Sequence, residues 1–244
     1  MLCVCDAYKI MGSGFTKELK MKEAGRKHRF ANESVDELIL TNLNPIDGYQ
    51  RSPILPLEKA VASLLPHIDD LMKYVIDAKA NCNSNSNFLT VDESAAIYLY
   101  TMPKPFFSRL NDALRNRKRH AMTPWLAYLK LFMTALDKLP SITGTIWRGV
   151  CGDVGSDYND DNDVTWYSIN SCSKSLKVIE WYIGETGTVF AINALHGKDI
   201  SDYSVFKEEQ EIILMPGCHL RVKSKTLNFD NRLFLVHMEE ENSE

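Results

Sequence analysis

The spacing of apolar residues changes at Pro140, and this change restricts how the 244-residue chain can fold. Before Pro140 the apolar residues recur every three or four positions, which is the period of one face of a helix. After Pro140 come short runs rich in β-branched and aromatic residues, which are typical of strands. Helices followed by strands predict an α+β fold, with a helical layer packed against a β core.

Helical segments can be outlined at several places in the first half of the chain. Apolar residues over 57–76 follow helical spacing, and Pro66 is predicted to kink this element or to start a new turn. Thr90 is predicted to cap the next helix, because Glu93 follows three residues later and completes a capping box. A further helix is predicted over 122–138.

Strands are predicted in the second half at 144–150, 164–173, 187–193, 210–215, 219–224 and 232–238. With 45% hydrophobic residues, the chain has enough apolar side chains for one good-sized core. We therefore predict a single domain over residues 46–238, an acidic tail over 239–244 and a weakly patterned N-terminal extension over 1–45. The extension is rich in Lys, Arg and Glu without interleaved aromatic residues, which favours a solvated or disordered segment over a phosphate-binding arm.

Charge and cysteine usage narrow the class of partner and the compartment. A net charge of −4 and a pI near 5.9 argue against general affinity for nucleic acids or membranes. No apolar run approaches the ~18 residues needed to span a bilayer, and the N-terminus does not have the pattern of a signal peptide. The six Cys residues have neither metal-ligand nor disulfide-framework spacing, so we expect no bound metal and reduced thiols, as in a cytosolic or nuclear protein. Of these two compartments we predict the cytoplasm.

Two glutamates stand two residues apart at the head of an apolar run. In a strand, side chains alternate between faces, so Glu209 and Glu211 would lie on one face and Gln210 on the other. Like charges on one face disfavour each other's ionisation, which suggests that they serve a cationic partner or a reaction that forms a cation. The alternative is that the pair is a solvated sheet edge.

Two upstream segments place further polar residues on predicted strands. Arg148 is followed by Gly149 in the first of these strands, and Ser171 and Ser173 end the second. The motifs in chain order are therefore Arg, Ser-x-Ser and Glu-x-Glu. Their order and spacing resemble the arginine-specific mono-ADP-ribosyltransferases, the Arg-Ser-Glu class of these enzymes.

The resemblance covers roughly residues 46–238 and extends beyond the three motifs. Residues 89–101 resemble the helix that precedes the catalytic sheets, and 203–208 resemble the loop that presents the Glu-x-Glu pair. It implies an ADP-ribosyltransferase fold, in which an N-terminal helical subdomain packs on two small β-sheets that form an NAD-binding cleft. The implied activity is transfer of ADP-ribose from NAD, or from NADP, to an arginine side chain of a protein acceptor. NAD is then a co-substrate, and no prosthetic group is required.

The resemblance also implies a role for each motif residue. Glu211 would hydrogen-bond the ribose 2′-hydroxyl and stabilise the oxocarbenium-like cation left when nicotinamide departs. Ser171 would hold the rotamer of that glutamate. Glu209 would orient the acceptor guanidinium and accept its proton.

The remaining expected roles concern the binding of NAD. Arg148 would hold the diphosphate or the adjacent ribose, since its planar fork suits phosphate oxygens. Gly149 would let the main chain approach the nicotinamide amide. Ser173 is a further expected cofactor contact, and Tyr182, with Trp181 as the near alternative, is the expected aromatic partner of the nicotinamide ring.

Two other functions are compatible with the same motifs. An NAD glycohydrolase would use water as the acceptor, and it would have no need for a carboxylate at Glu209 to hold a guanidinium. A non-catalytic module that binds NAD or a protein is the second alternative. The intact set of Arg148, Ser171 and Glu211 weighs against this second alternative.

Overall fold

Among the described residues, most of those before Pro140 lie in helices and most of those after it lie in strands, so the predicted α+β organisation is confirmed. The computed structural model describes residues 31–32, 46, 48–116, 119–152, 154, 158, 162–183, 186–229 and 233–242. Most of the predicted extension over 1–45 therefore lies outside the described residues.

Six α-helices form among the described residues: α1 (Leu57–Ala60), α2 (Leu71–Asn81), α3 (Val91–Thr101), α4 (Phe106–Arg115), α5 (Leu126–Lys138) and α6 (Leu176–Tyr182). The predicted interruption near Pro66 is confirmed, because α1 and α2 are separate helices. Thr90 caps α3 and forms the predicted capping box with Glu93. The segment predicted as a helix over 122–138 begins as a 3-10 turn, Arg119–Trp125, and becomes α-helical only at Leu126.

Eight strands are described: β1 (Ala31–Asn32), β2 (Ser141–Cys151), β3 (Asp163–Trp166), β4 (Asn170–Ser173), β5 (Gly187–Asp199), β6 (Glu211–Leu214), β7 (Cys218–Phe229) and β8 (Leu233–Glu240). The prediction of one strand over 164–173 is wrong, because its two halves pair with different neighbours. β3 pairs with β7, whereas β4 pairs with β6 and β2. The last strand runs two residues past the predicted domain boundary at 238.

A change of partner along β5 closes a ring of strands. One side of β5 pairs with β2 almost from end to end. On the other side, residues 187–193 pair with β8, whereas Lys198 and Asp199 pair with β6. Because β6 pairs with β4 and β4 with β2, the strands β2, β5, β6 and β4 form a closed circuit. The pairings thus join the eight described strands in one sheet that contains this circuit, and the short β1 adds in parallel to β2.

The strands β2 and β6 approach β5 closely at Gly197. A Cβ atom at this position would lie 2.9 Å from Cγ2 of Ile212 and 3.2 Å from Cγ1 of Ile142, closer than unstrained carbon contacts allow. Gly197 therefore lets β2, β5 and β6 pack together where the ring closes.

The helical layer packs on one face of β4 and β6 and has its own core. Ile169 and Ile213 belong to the same apolar cluster as the buried faces of α1 to α5. A second cluster lies between the strands, on the side of Ile212 and Phe190. Alternate residues of β6 therefore face different cores, as the two-residue period of a strand dictates.

Glu93 joins the start of α3 to the end of α5. Its Oε2 atom accepts a hydrogen bond of 2.9 Å from the main-chain N–H of Thr90, and both carboxylate oxygens lie within 2.8 Å of Nζ of Lys138. Only 3% of Glu93 is exposed. Loss of a partner from a buried carboxylate is costly, so the bonds of Glu93 fix the start of α3 against the end of α5.

Glu93→Ala is expected to lower the free energy of unfolding by about 2–4 kcal/mol, because it removes the capping box and the partner of Lys138. Glu58→Ala is the matched control, since Glu58 pairs with Lys79 at 2.8 Å but 39% of its side chain is exposed. That change should cost less than about 1 kcal/mol. Urea denaturation of both variants measures the difference, and equal costs would contradict the structural role of Glu93.

Candidate active site

The four-residue strand β4 brings the predicted motif residues together. Every residue of β4 is buried. On one side, Ser171 pairs with Ile213 and Ser173 pairs with Glu211; on the other side, Ser173 pairs with Trp147 of β2. The register thus places the Arg-Gly, Ser-x-Ser and Glu-x-Glu segments on three adjacent strands.

The side chain of Arg148 is held against β4 by a hydrogen bond to the main chain of that strand. The guanidinium Nη1 donates a hydrogen bond of 3.0 Å to the carbonyl oxygen of Ser171. The Cζ atom lies 5.8 Å from the centre of the Trp166 ring, a distance at which a cation and an aromatic face attract each other. Only 3% of Arg148 is exposed, so its charge lies inside the protein beside β4.

The strand predicted over 210–215 forms as β6, but it does not extend back to Glu209, so the argument that Glu209 and Glu211 share one face of a strand is wrong. Glu209 ends a 3-10 turn, Lys207–Glu209, and Gln210 has left-handed backbone angles of φ 47° and ψ 50°. β6 begins only at Glu211. Glu209 and Glu211 are both fully buried, which also excludes the solvated sheet edge considered for the pair.

The main chain of this segment is held at three consecutive carbonyl oxygens. Ser173 Oγ donates to the oxygen of Glu209 at 2.7 Å, the N–H of Lys174 to that of Gln210 at 3.2 Å, and the N–H of Ile200 to that of Glu211 at 3.0 Å. The left-handed turn at Gln210 costs on the order of 1 kcal/mol for a residue with a Cβ, and these bonds offset that cost. The two glutamates are therefore fixed relative to β4 through their main chain.

The hydroxyl groups near Glu211 have different partners from those expected. Oε2 of Glu211 lies 3.4 Å from Oγ of Ser204, in the segment between β5 and β6. The Ser171 hydroxyl lies 3.3 Å from Oη of Tyr100 on α3. The Ser173 hydroxyl binds the main chain around Glu209. A role of Ser171 in holding the Glu211 rotamer, and a contact of Ser173 with NAD, stay predictions.

Asn111 of α4 braces the main chain just before β4. Its side-chain oxygen accepts from the N–H of Ile169 at 3.2 Å, and its side-chain nitrogen donates to the carbonyl oxygen of Ile169 at 3.4 Å. The amide thus satisfies both main-chain groups of a buried residue, as a neighbouring strand would. The sequence predicts no site role for Tyr100 and Asn111, because no local spacing links them to motifs tens of residues away. Ser204 lies only five residues before Glu209, in the segment expected to present the Glu-x-Glu pair, but nothing in that segment singles out its hydroxyl.

Gly149 is required for packing, in addition to its expected approach to the nicotinamide amide. A Cβ atom there would lie 2.9 Å from Cγ2 of Ile179 and 3.0 Å from Cγ1 of Ile183, so α6 could not sit as close to β2. Its contact with the nicotinamide amide stays a prediction. Tyr182 and Trp181 end α6, but their side chains lie outside the described residues, and the stacking role also stays a prediction.

Asp199 and Lys174 form an ion pair where the end of β5 meets β6. Burial acts to raise the pKa of Asp199, but hydrogen bonds from Lys174 at 2.6 Å and from Ser201 at 2.6 Å leave that pKa below its ordinary value. Asp199 is therefore a carboxylate that ties the end of β5 to Lys174 after β4. Across the described residues, no group of three or more His, Cys, Asp or Glu side chains is placed to hold a metal ion.

Comparison with known proteins identifies the family. The family model for NAD:arginine ADP-ribosyltransferase matches residues 68–243, most of the chain. The chain belongs to this family. Mav of Mycobacterium avium (strain 104), a protein named for NAD(+)–arginine ADP-ribosyltransferase activity, is 29% identical over 152 residues. The match covers 62% of this chain but 18% of Mav, so the chain spans about a fifth of that relative's length.

Solved structures of ADP-ribosyltransferases share the fold. The structure of Vis, a toxin from Vibrio splendidus, in complex with agmatine superposes with a TM-score of 0.55 at 18% identity, covering 80% of this chain and 90% of Vis. Exoenzyme S from Pseudomonas aeruginosa, in complex with human 14-3-3 protein beta and carba-NAD, gives 0.56 at 17% identity, covering 75% and 88%. The fold predicted from the resemblance is thereby confirmed.

Gln210→Gly is expected to keep or raise the free energy of unfolding by up to about 1 kcal/mol, because glycine adopts the left-handed angles without strain. Gln210→Val should lower it by about 1–2 kcal/mol, since a β-branched residue is disfavoured there. Urea denaturation measures both. At Lys207, an exposed neighbour in the 3-10 turn, the order of Gly and Val should reverse. A valine at 210 as stable as the parent would contradict the strained turn.

Proposed function

We propose that the protein transfers the ADP-ribose group of NAD to an arginine side chain of a protein acceptor and releases nicotinamide. The observation that carries the proposal is the arrangement around β4, where Arg148 and the buried Glu211 flank one short strand. Family membership supports the same activity. The structural relatives solved with agmatine and with carba-NAD support a guanidinium acceptor and a dinucleotide donor.

The reaction breaks the bond between the nicotinamide nitrogen and C1′ of the ribose. Nicotinamide leaves as a neutral molecule, so the difficulty is the positive charge that develops on the sugar. Glu211 supplies a carboxylate held in a buried site, where electrostatic stabilisation of a cation is stronger than in water. The acceptor nitrogen then forms a bond to C1′ and loses a proton.

The other motif residues divide the remaining tasks. Arg148 binds the diphosphate or the adjacent ribose, and the bond to Ser171 and the Trp166 ring orient its guanidinium in advance. Glu209 holds the acceptor guanidinium and takes its proton as the new bond forms. Its main chain is fixed by Ser173, so its position relative to Glu211 is set before the acceptor binds.

We also propose a class of acceptor and a location. We propose a protein with an accessible arginine as the acceptor and NAD as the donor. None of the helices formed by the described residues has the length and apolar character to cross a membrane. The described Cys residues 82, 151, 172 and 218 are all free thiols, which supports the proposed cytoplasmic location.

Incubation with labelled NAD and agmatine tests the proposal directly. Agmatine offers a guanidinium without the rest of a protein, so the transferase forms ADP-ribosyl-agmatine. Free ADP-ribose as the sole product would instead identify an NAD glycohydrolase. Absence of either product with purified, folded protein would favour a non-catalytic module.

Glu211→Gln is expected to lower both transfer and NAD hydrolysis by about 10²–10³-fold, because the amide cannot stabilise the ribosyl cation as a carboxylate does. Rates of nicotinamide release measure this effect. The substitution keeps the size of the side chain, and thermal unfolding checks that the variant is folded. Near-normal turnover of NAD in a folded variant would refute the role of Glu211.

Glu209→Gln is expected to separate the two activities. Transfer to agmatine should fall by at least about 10²-fold, because no carboxylate remains to take the proton of the guanidinium. Much of the hydrolysis of NAD should remain. The exposed neighbour Glu208 provides the matched control, and Glu208→Gln should leave both activities near the parent values. Equal loss of both activities in Glu209→Gln would assign this residue to cleavage of NAD instead.

A further inference from the structure

The segment between β5 and β6 is anchored to the helical layer on both sides of Ser204. Oη of Tyr203 lies 2.7 Å from Oγ of Ser86, in the loop before α3. The N–H of Val205 donates to Oγ1 of Thr101, at the end of α3, at 3.0 Å. Ser204 therefore belongs to a stretch of main chain whose position is set by the helices.

The two neighbours of the Ser204 hydroxyl determine which bond it donates and which it accepts. Oγ accepts from the N–H of Phe206 at 3.2 Å and lies 3.4 Å from Oε2 of Glu211. A carboxylate oxygen can only accept, so the serine must donate to Glu211 while it accepts from Phe206. Ser204 is 3% exposed, which keeps solvent from competing for either bond.

We propose that Ser204 is a positioning residue for Glu211. This inference rests on the proposed function, and it concerns how the carboxylate is oriented toward the ribosyl cation. Ser204 binds one oxygen of Glu211 from the loop side, where the helical layer fixes the donor. Ser171, on the strand side, has its hydroxyl within 3.3 Å of Oη of Tyr100. The loop thus supplies a hydroxyl donor to Glu211 that the Ser-x-Ser motif does not account for.

A residue that acts through Glu211 should affect the rate of reaction more than the binding of NAD. Without the Ser204 bond, the carboxylate can adopt other rotamers, and fewer molecules hold it where the cation develops. The contacts that bind the NAD diphosphate are those expected of Arg148, which lies on β2 and not in the segment of Ser204. Loss of the hydroxyl should therefore lower kcat and leave KM for NAD nearly constant.

Steady-state kinetics of Ser204→Ala, with NAD and agmatine, test the proposal. We expect kcat to fall about 5- to 20-fold while KM for NAD changes less than about twofold. Ser204→Thr should restore most of the rate, because it keeps the hydroxyl and suits the extended angles of φ −80° and ψ 152°. Ser201→Ala is the matched control, since this hydroxyl donates to Asp199 instead, and its kcat should match the parent.

The combination with Glu211→Gln identifies the route of the effect. If Ser204 acts through the carboxylate, Ser204→Ala should change the residual NAD hydrolysis of Glu211→Gln by less than about twofold. A full additional loss in the double variant would overturn the proposal, as would an unchanged kcat, a rise in KM alone, or an equal loss in Ser201→Ala. If Ser204→Ala does not fold, Ser204→Cys provides the same test, because a thiol is a weak donor of similar size. A parent protein that modifies no agmatine would instead refute the proposed function.

Discussion

The hydrogen bonds that hold β4 are the constraint on which the rest of the site depends. This strand is four residues long and wholly buried, yet it contacts every motif. Arg148 bonds its main chain, Glu211 pairs with Ser173, and the Ser173 hydroxyl bonds Glu209. Buried polar groups are costly unless each has a partner, so a small displacement of β4 would leave several of them unsatisfied at once. The site is thereby built as one unit.

The helical layer has a direct part in the site besides supplying a core. Side chains of α3 and α4 bond the sheet at Ser171 and Ile169, and α3 also bonds the segment before Glu209 at Val205. These contacts lie on the face of β4 and β6 that packs against helices. Rigid elements hold reactive groups more precisely than loops do. The glutamate segment, although it lies partly in turns, is fixed from the strand side and the helix side together.

Local patterns predicted the elements whose signal lies within a few residues. Thr90 and Glu93 mark the start of α3 because a capping box is a contact between neighbours in the chain. The strand predicted over 164–173 was wrong because its division depends on which distant strand each half pairs with. Likewise, the turn at Gln210 follows from bonds to Lys174 and Ser173, and no residue in the segment itself indicates left-handed angles.

The sequence by itself determined the α+β class, the helical and strand halves and the identity of the motif residues, because periodicity and residue order are properties of the chain. Tertiary structure alone decided which of these residues meet. The burial of both glutamates, the bond from Arg148 to Ser171 and the approach of Ser204 to Glu211 all join separate elements. Such contacts depend on register and packing between those elements, which local spacing does not specify.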